Sequence, residues 1–528
     1  MNALRILVAD DLGQEGIEML AEAGEVKVKT GMTEDQLRDT LPGYHALIVR
    51  SATKVTARSL ERASDLVVIG RAGIGIDNID VAAATERGIV VMNTPEAGAV
   101  TTGELAVALM MCLARNLAPA DASMKAGRWD KKALVGTELR GKTLGVIGLG
   151  RIGTVVAERG LGLRMDVITH DPFLDSSRLP VGVRQVRFDE LLAHSDFISI
   201  HVPKGEKTMN LINAETIAKM KPGVRLIHAA RGGIVDEDAL VDALESGHLA
   251  GAALDVFSVE PLPENSRLRS APNLLLSPHL GASTREAKRN VSLDMARQMV
   301  LCLKKGVALN GINVPRISPA QARTLGPFLD LARNLASFLT QVFPGRVESL
   351  RLSLQGKLPG SAAHPLEVAM LAGALRDRAE GPVTPVNAER IGDQMGVRRH
   401  TEVSTIKRDF VNVVRVEALI DGERHYISGT VLGHRHGRMV ELDHYLLDAI
   451  PEGPMLVTFH GDQPGVVGAV GQILHEEDIN ISRLQVGQVE NGERTALGIW
   501  NLSTPLSVAA LDRVQALEPV RRACSVEE

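Results

Sequence analysis

Residues 144–153 read Leu-Gly-Val-Ile-Gly-Leu-Gly-Arg-Ile-Gly, and Asp171 stands 18 residues beyond Gly153. An apolar run, Leu144 to Ile147, enters a Gly148-x-Gly150-x-x-Gly153 turn, and helix-like sequence follows. Each glycine has a separate physical reason. Gly148 allows the tight turn, Gly150 lets backbone N–H groups approach a pyrophosphate, and Gly153 lets the helix pack on the sheet. The helix start, Arg151-Ile152, offers its unsatisfied N–H groups and partial positive charge to phosphate. A second strand, Asp166–His170, ends at Asp171, whose carboxylate can accept hydrogen bonds from a ribose diol and would repel a 2′-phosphate. The stretch therefore indicates NAD rather than NADP. Three glycines alone also fit an ordinary strand-to-helix turn; the strand before, the helix after and the acid at this spacing favour the dinucleotide.

The remainder of the chain bounds the answer. Its 528 residues imply two to four domains. Hydrophobic content of 45% and charged content of 23% are those of a globular protein. A net charge of −5 and only 3% aromatic residues leave no basic footprint or stacking platform for nucleic acid. Cys112, Cys302 and Cys524 are far apart and form no CxxC pair, which argues against a disulfide framework or a metal site. The first ten residues already have a strand pattern, and no apolar run approaches the roughly 20 residues of a membrane span. The expectation is a cytoplasmic protein with no membrane partner.

Short apolar strands (5–9, 46–50, 66–70 and 89–92) alternate with helical stretches in the first hundred residues, as in a parallel α/β unit. A long helix near 101–113 leads into the glycine-rich unit. There, strand endings carry the message: 224–229 leads to Arg231, 251–257 to Glu260 and 273–276 to His279. Ligands of open parallel sheets bind outside the carboxyl ends of the strands, so these three groups should converge. A helix at 284–304 and the break Asn-Gly-Ile-Asn-Val-Pro (310–315) suggest that the chain then returns to the first unit. Beyond it come a helix over 319–342, strands near 347–354, 412–420 and 425–432, and a βαββα module from Gly453.

The three convergent groups suit one reaction. Oxidation of a secondary alcohol needs a base for the hydroxyl proton, and histidine titrates near neutrality. Glu260 would orient the His279 ring and stabilise its charged form. Arg231 would fork onto a carboxylate, as a lysine cannot, and polarise the carbonyl in the reverse direction. Alone, each residue has a structural explanation: a loop histidine, a turn glutamate before Pro261, a surface arginine. Together, beside a dinucleotide turn, they make a catalytic set.

On these residues, with Met220–Ala239, Leu254–Pro261 and Ser277–Ser283, the chain resembles the D-isomer-specific 2-hydroxyacid dehydrogenase family. Within that family it is similar to the branch whose members oxidise D-3-phosphoglycerate at the start of serine synthesis. Arg50-Ser-Ala-Thr-Lys-Val55 and Gly70-Arg-Ala-Gly-Ile-Gly-Ile-Asp-Asn-Ile-Asp80 look like that branch's substrate loops. The resemblance implies catalysis by Arg231, Glu260 and His279. It implies NAD contacts from Gly148, Gly150, Arg151, Ile152, Gly153, Asp171, Ala229, Asp255, His279 and Gly281, and substrate contacts from Arg50, Ser51, Arg71, Gly73 and Arg231. Such a substrate carries about three negative charges, which the arginines at 50, 71 and 231 can match. Lys131 and Lys132 could add charge across a subunit interface. Ile74, often polar in relatives, and His228, often Asn, depart from the pattern. Other acids of the family, such as glyoxylate or hydroxypyruvate, and a non-enzymatic NAD-sensing role are the alternatives.

About 210 residues follow the point where simpler family members stop. Met455–Leu474 with Ile479-Asn-Ile481 resembles an ACT domain, and the resemblance implies an L-serine effector held by His460, Asp462 and Asn480, usually between two chains. A module serving assembly alone is the other reading. Residues 317–450, marked by Ile427-Ser-Gly-Thr-Val-Leu-Gly433, resemble an allosteric intervening domain, with Arg435, His436 and Arg438 as a small basic cluster. The expected architecture is a Rossmann-type NAD domain (99–286) inserted in a split flavodoxin-like substrate domain (1–98 plus 287–316). An α+β intervening domain (317–452) and a ferredoxin-like ACT domain (453–528) follow. The whole should form a homo-oligomer, dimer or tetramer.

Overall fold

The computed structural model describes residues 4–175, 177, 179–315, 319–405, 410–433, 435–489 and 494–527. Two all-parallel sheets come first. Five strands stand in the order Glu25–Val28, Arg5–Val8, Ala46–Val49, Val68–Arg71 and Val90–Asn93. This is the 2-1-3-4-5 order of flavodoxin-like sheets. Helix Arg285–Lys305 returns to this sheet, and its Val291, Met295 and Met299 share a core with Ile6, Val8 and Ile48.

The second sheet has seven strands, in the order Leu274–Leu276, Leu249–Leu254, Val224–His228, Phe197–Ile200, Thr143–Ile147, Asp166–His170 and Val183–Gln185. The order reverses between Thr143–Ile147 and Phe197–Ile200, which is where a doubly wound sheet opens its crevice. Helices cover both faces. Ile198, Ile200 and Leu226 face one core, and Leu144, Val146, Phe197 and Ile227 face the other. That is why these strands read as nearly continuous apolar runs.

The third sheet, six strands between Val347 and Ala449, is mostly antiparallel, and its apolar face is covered by helices Pro319–Val342 and Ala363–Leu375. The last sheet has four antiparallel strands in the order Ile481–Gln488, Thr495–Leu502, Met455–Gly461 and Val520–Val526, with helices Val466–Glu476 and Val508–Gln515. The sequence reading ended this module one element early; Val520–Val526 completes a βαββαβ arrangement. Its two faces differ. Leu456 and Trp500 pack under the module's own helices, whereas Met455, Val457, Leu497, Ile499 and Val526 join the core of the third sheet. The module is thus fused to its neighbour rather than hung on a linker.

No single helix among the described residues is long and apolar enough to cross a membrane. The bent pair Ala99–Ala114 and Leu117–Lys125 passes such a test by length and composition, but Ala106, Leu109, Met110 and Ala114 of its first helix belong to the core around Leu144 and Val146.

Candidate active site

The glycine turn is built as its sequence requires. Gly148 has φ +86°, and a Cβ there would meet the His201 carbonyl oxygen at 2.8 Å. A Cβ at Gly153 would fall 2.0 Å from the Gly148 oxygen, so the helix Arg151–Gly162 can approach only with hydrogen at that place. Around Gly150 there is open space, and this residue caps the helix without any side-chain hydrogen bond. The first N–H groups of the helix are thus left without a side-chain cap, the donor set a diphosphate needs. Asp171 closes the far side, its two oxygens accepting from Leu149 N (3.0 Å) and Phe173 N (3.0 Å). Each carboxylate oxygen keeps a further lone pair for a ribose hydroxyl. The chain's own residues thus fit NAD.

Arg151 is exposed and lies 3.6 Å from Glu96, Ile152 is half-buried, and Ala229 is buried at the end of strand Val224–His228. Asp255 is fully buried. It accepts from Ser277 Oγ (2.6 Å), Leu280 N (2.8 Å) and Gly281 N (2.9 Å), so it shapes the loop that carries His279. Ile74 packs beside Gly98 and accepts from the Asn93 amide through its carbonyl.

His279 sits on that loop with φ +53°, a left-handed conformation that histidine tolerates better than most residues. Its Nδ1 lies 2.7 Å from Glu260 Oε2, and Glu260 Oε1 accepts from Phe257 N at 3.0 Å. With the Nδ1 proton given to the carboxylate, Nε2 is the nitrogen left to take a proton. Arg231 follows the neighbouring strand, its backbone next to the segment that holds Glu260: a Cβ at Gly232 would fall 1.7 Å from the Phe257 oxygen. His228, the departure noted in the sequence, now has a role. Its Nε2 donates to the Arg231 carbonyl at 2.9 Å and so holds the arginine loop. Burial pushes His228 down to about 4, and burial followed by the charge of His228 pushes His201 down to about 3. Both rings are neutral, and the Nδ1 atoms of both are buried without a hydrogen bond.

The first sheet supplies the other wall. Arg71 ends strand Val68–Arg71, and its guanidinium lies over Gly73, where φ is +149° and a Cβ would fall 1.5 Å from Nη1. Burial, then Arg231, then Arg50 push the Arg71 pKa down to about 10, which still leaves it charged at neutral pH. Its Nε is buried with no partner. A buried cation with an unpartnered donor suits an anionic partner. Arg50 and its loop are pinned by Asp10, which accepts from Arg50 N (2.6 Å), Thr53 N (3.2 Å) and Thr53 Oγ1 (2.7 Å). Asn78 donates to the carbonyls of Arg50 and Thr53. Ser51 is exposed on this loop. Sequence reasoning missed Asp10 and Asn78; the only available signal was the placement of an acid at a strand end beside the Arg50 loop.

The candidate effector residues do not meet within one chain. His460 is buried, its Nδ1 donating to the Gly461 carbonyl (2.9 Å) and its Nε2 unpartnered, and Asp462 accepts from Gln488 (3.2 Å). Asn480 lies at the opposite end of strand Ile481–Gln488, about 26 Å away at 3.3 Å per residue. Lys131 and Lys132 are exposed, as is Trp129. In the basic cluster Arg438 pairs with Asp448 at 3.2 Å. Among the described residues no group of three or more His, Cys, Asp or Glu could hold a metal ion.

Residues 107–281 match the NAD-binding domain of the D-isomer-specific 2-hydroxyacid dehydrogenases, and residues 324–443 match the D-3-phosphoglycerate dehydrogenase intervening domain. A D-3-phosphoglycerate dehydrogenase of Synechocystis is 40% identical over 99% of this chain and 94% of its own length. The Archaeoglobus fulgidus and Bacillus subtilis enzymes of the same name are 39% and 37% identical over 92% of the chain, covering 92% and 93% of their own lengths. Among solved structures, a glyoxylate reductase from Paecilomyes thermophila (31% identity, TM-score 0.54) covers 59% of this chain and 99% of its own. An NAD-dependent formate dehydrogenase from Staphylococcus aureus in complex with NAD (29%, 0.51) covers 57% and 96%.

Proposed function

The chain belongs to the D-3-phosphoglycerate dehydrogenases of the D-isomer-specific 2-hydroxyacid dehydrogenase family, and from that premise we propose how its own residues serve the reaction. It is an NAD-dependent oxidoreductase that converts D-3-phosphoglycerate to 3-phosphohydroxypyruvate. Bound along the Gly148–Gly153 turn and Asp171, NAD supplies the hydride acceptor. Arg231 forks onto the substrate carboxylate and holds the C2 hydroxyl toward His279. His279 Nε2 takes the hydroxyl proton, and Glu260 at Nδ1 stabilises the imidazolium so formed. Arg71 and Arg50 take the phosphate. What supports this reading is a His–Glu pair on the loop beside the Arg231 backbone, together with three guanidiniums that act on one another, one of them buried and unpaired on its Nε.

The same reading assigns residues 1–98 with 287–316 to a split substrate domain, 99–286 to the NAD domain, 317–452 to the intervening domain and 453–528 to an ACT domain. The 2-3-1-4 strand order of the last sheet supports the ACT assignment. L-Serine then inhibits from a site between two chains, with Asp462 and His460 from one and Asn480 from the other. Their separation within one chain supports a site of this kind, and with it a homodimer or homotetramer. Three free thiols fit a reducing, cytoplasmic setting.

The test is NADH formation from D-3-phosphoglycerate, with D-lactate and glyoxylate as control substrates, titrated with L-serine. A phosphoglycerate-specific rate that falls with serine supports both assignments. A specific rate indifferent to serine removes the effector and leaves the module to assembly. No phosphoglycerate turnover overturns the reading.

A further inference from the structure

Arg231 does not stand free in the cleft. Its Nε donates to Asp77 Oδ2 at 3.1 Å, across 154 residues of sequence and from one sheet's loops to the other's. Its Nη1 donates back to the Ala230 carbonyl at 2.7 Å. Its Nη2 lies on the backbone of Gly75, where a Cβ would fall only 2.1 Å away. The guanidinium is thus fixed at two corners and seated on a third. Each Nη carries two N–H donors, so beyond the bond to Ala230 both keep a donor for the fork that a carboxylate takes side by side.

The same carboxylate balances the site. Arg71, Arg50 and Arg231 press on one another, and the groups that oppose this at Arg71 are Asp77 and Asp10. Asp10 is occupied by backbone and threonine donors of the Arg50 loop. Asp77 is more than half exposed and faces the guanidiniums.

We propose that Asp77 is a positioning residue: it aims Arg231 across the cleft and, between turnovers, stands in for the negative charge that the substrate brings. This rests on the reading that Arg231 receives the substrate carboxylate. It has a signature that a purely structural role lacks. Removing the charge of Asp77 makes the cleft more positive, so capture of a multiply charged anion does not weaken. The aim of Arg231 does suffer, and a misplaced anchor can cost about 100-fold in rate.

The experiment is Asp77→Asn, which keeps the shape and an acceptor oxygen near Nε, beside Asp77→Glu, which keeps the charge. Expected for Asn is a kcat about 10- to 100-fold lower with a KM for D-3-phosphoglycerate equal to or below that of the parent. The Kd for NADH and the Tm should be unchanged, and Glu should recover part of kcat. Unchanged kcat, or a raised KM with kcat intact, overturns the inference. If the parent oxidises phosphoglycerate and Asn behaves like it, only this inference falls. If the parent itself shows no such turnover, the proposed function falls and takes this with it.

Discussion

Two neutral histidines under the cofactor crevice make the stability of this protein depend on pH in a calculable way. Folding holds His228 near 4 and His201 near 3, whereas an exposed imidazole titrates near 6.5. Well above pH 6.5 both rings are neutral folded and unfolded, and the pair contributes almost no pH dependence. Below it the unfolded chain takes up a proton at each ring and the folded chain does not. Stability is therefore lost as pH falls, by about 1.4 kcal/mol per unit for each histidine. The slope persists until the folded rings titrate, near 4 and then near 3. Between pH 6.5 and 5.5, where protonation of the unfolded rings rises from half to nearly complete, the pair costs about 2 kcal/mol, or about 4–8 °C in the melting of a unit of this size. The assay is scanning calorimetry from pH 7.5 to 5.5 on the parent and on His201→Gln/His228→Gln. Glutamine can still donate to the Arg231 carbonyl, and every exposed carboxylate is common to both proteins. The difference in pH dependence between the two isolates the pair. Equal dependence in parent and double variant would refute buried, neutral histidines at these sites.

Three further outcomes follow from the geometry. Gly73→Ala places a methyl where Arg71 Nη1 now lies and strains a φ of +149°; the KM for D-3-phosphoglycerate should rise by about 10- to 100-fold, the worth of a charge-assisted contact, with the Kd for NADH unchanged. Glu260→Gln removes the charge that faces His279 Nδ1 at 2.7 Å; kcat should fall by about 100-fold or more, and a rate near that of the parent would exclude Glu260 from the proton transfer. Asp171→Asn keeps an oxygen for Leu149 N but loses the charge; the KM for NAD should rise about tenfold, one charge-assisted hydrogen bond, while NADP gains relative to NAD in paired steady-state assays.

The placement of the candidate site residues was readable because its geometry is local. Gly148, Gly150, Gly153 and Asp171 act through one turn and the two strands beside it, so spacing alone carries their arrangement. Arg231, Glu260 and His279 each follow a strand of the same parallel sheet, and parallel strands deliver their ends to one rim. The first sheet was harder. Strand Glu25–Val28 carries two charges in four residues and is largely exposed, so no apolar pattern marks it; pairing with Arg5–Val8 places it at the edge. Strand ends read from sequence also differ by a residue or two, which makes Arg71 the last residue of its strand.

By itself, then, the order of residues determined two parallel sheets, a glycine-rich strand-to-helix turn with an acid at the end of the next strand, and three polar groups placed beyond strand ends. Tertiary structure alone decided which charges face one another. Asp77 meets Arg231 from another sheet. Asp10 pins the Arg50 loop from 40 residues away. The last module shares its sheet face with the core of its neighbour, though its sequence reads as a separate unit. Periodicity and spacing encode what a segment does within its own few turns and strands; a charge pair or a shared core is set by the packing of distant segments, which no local pattern contains.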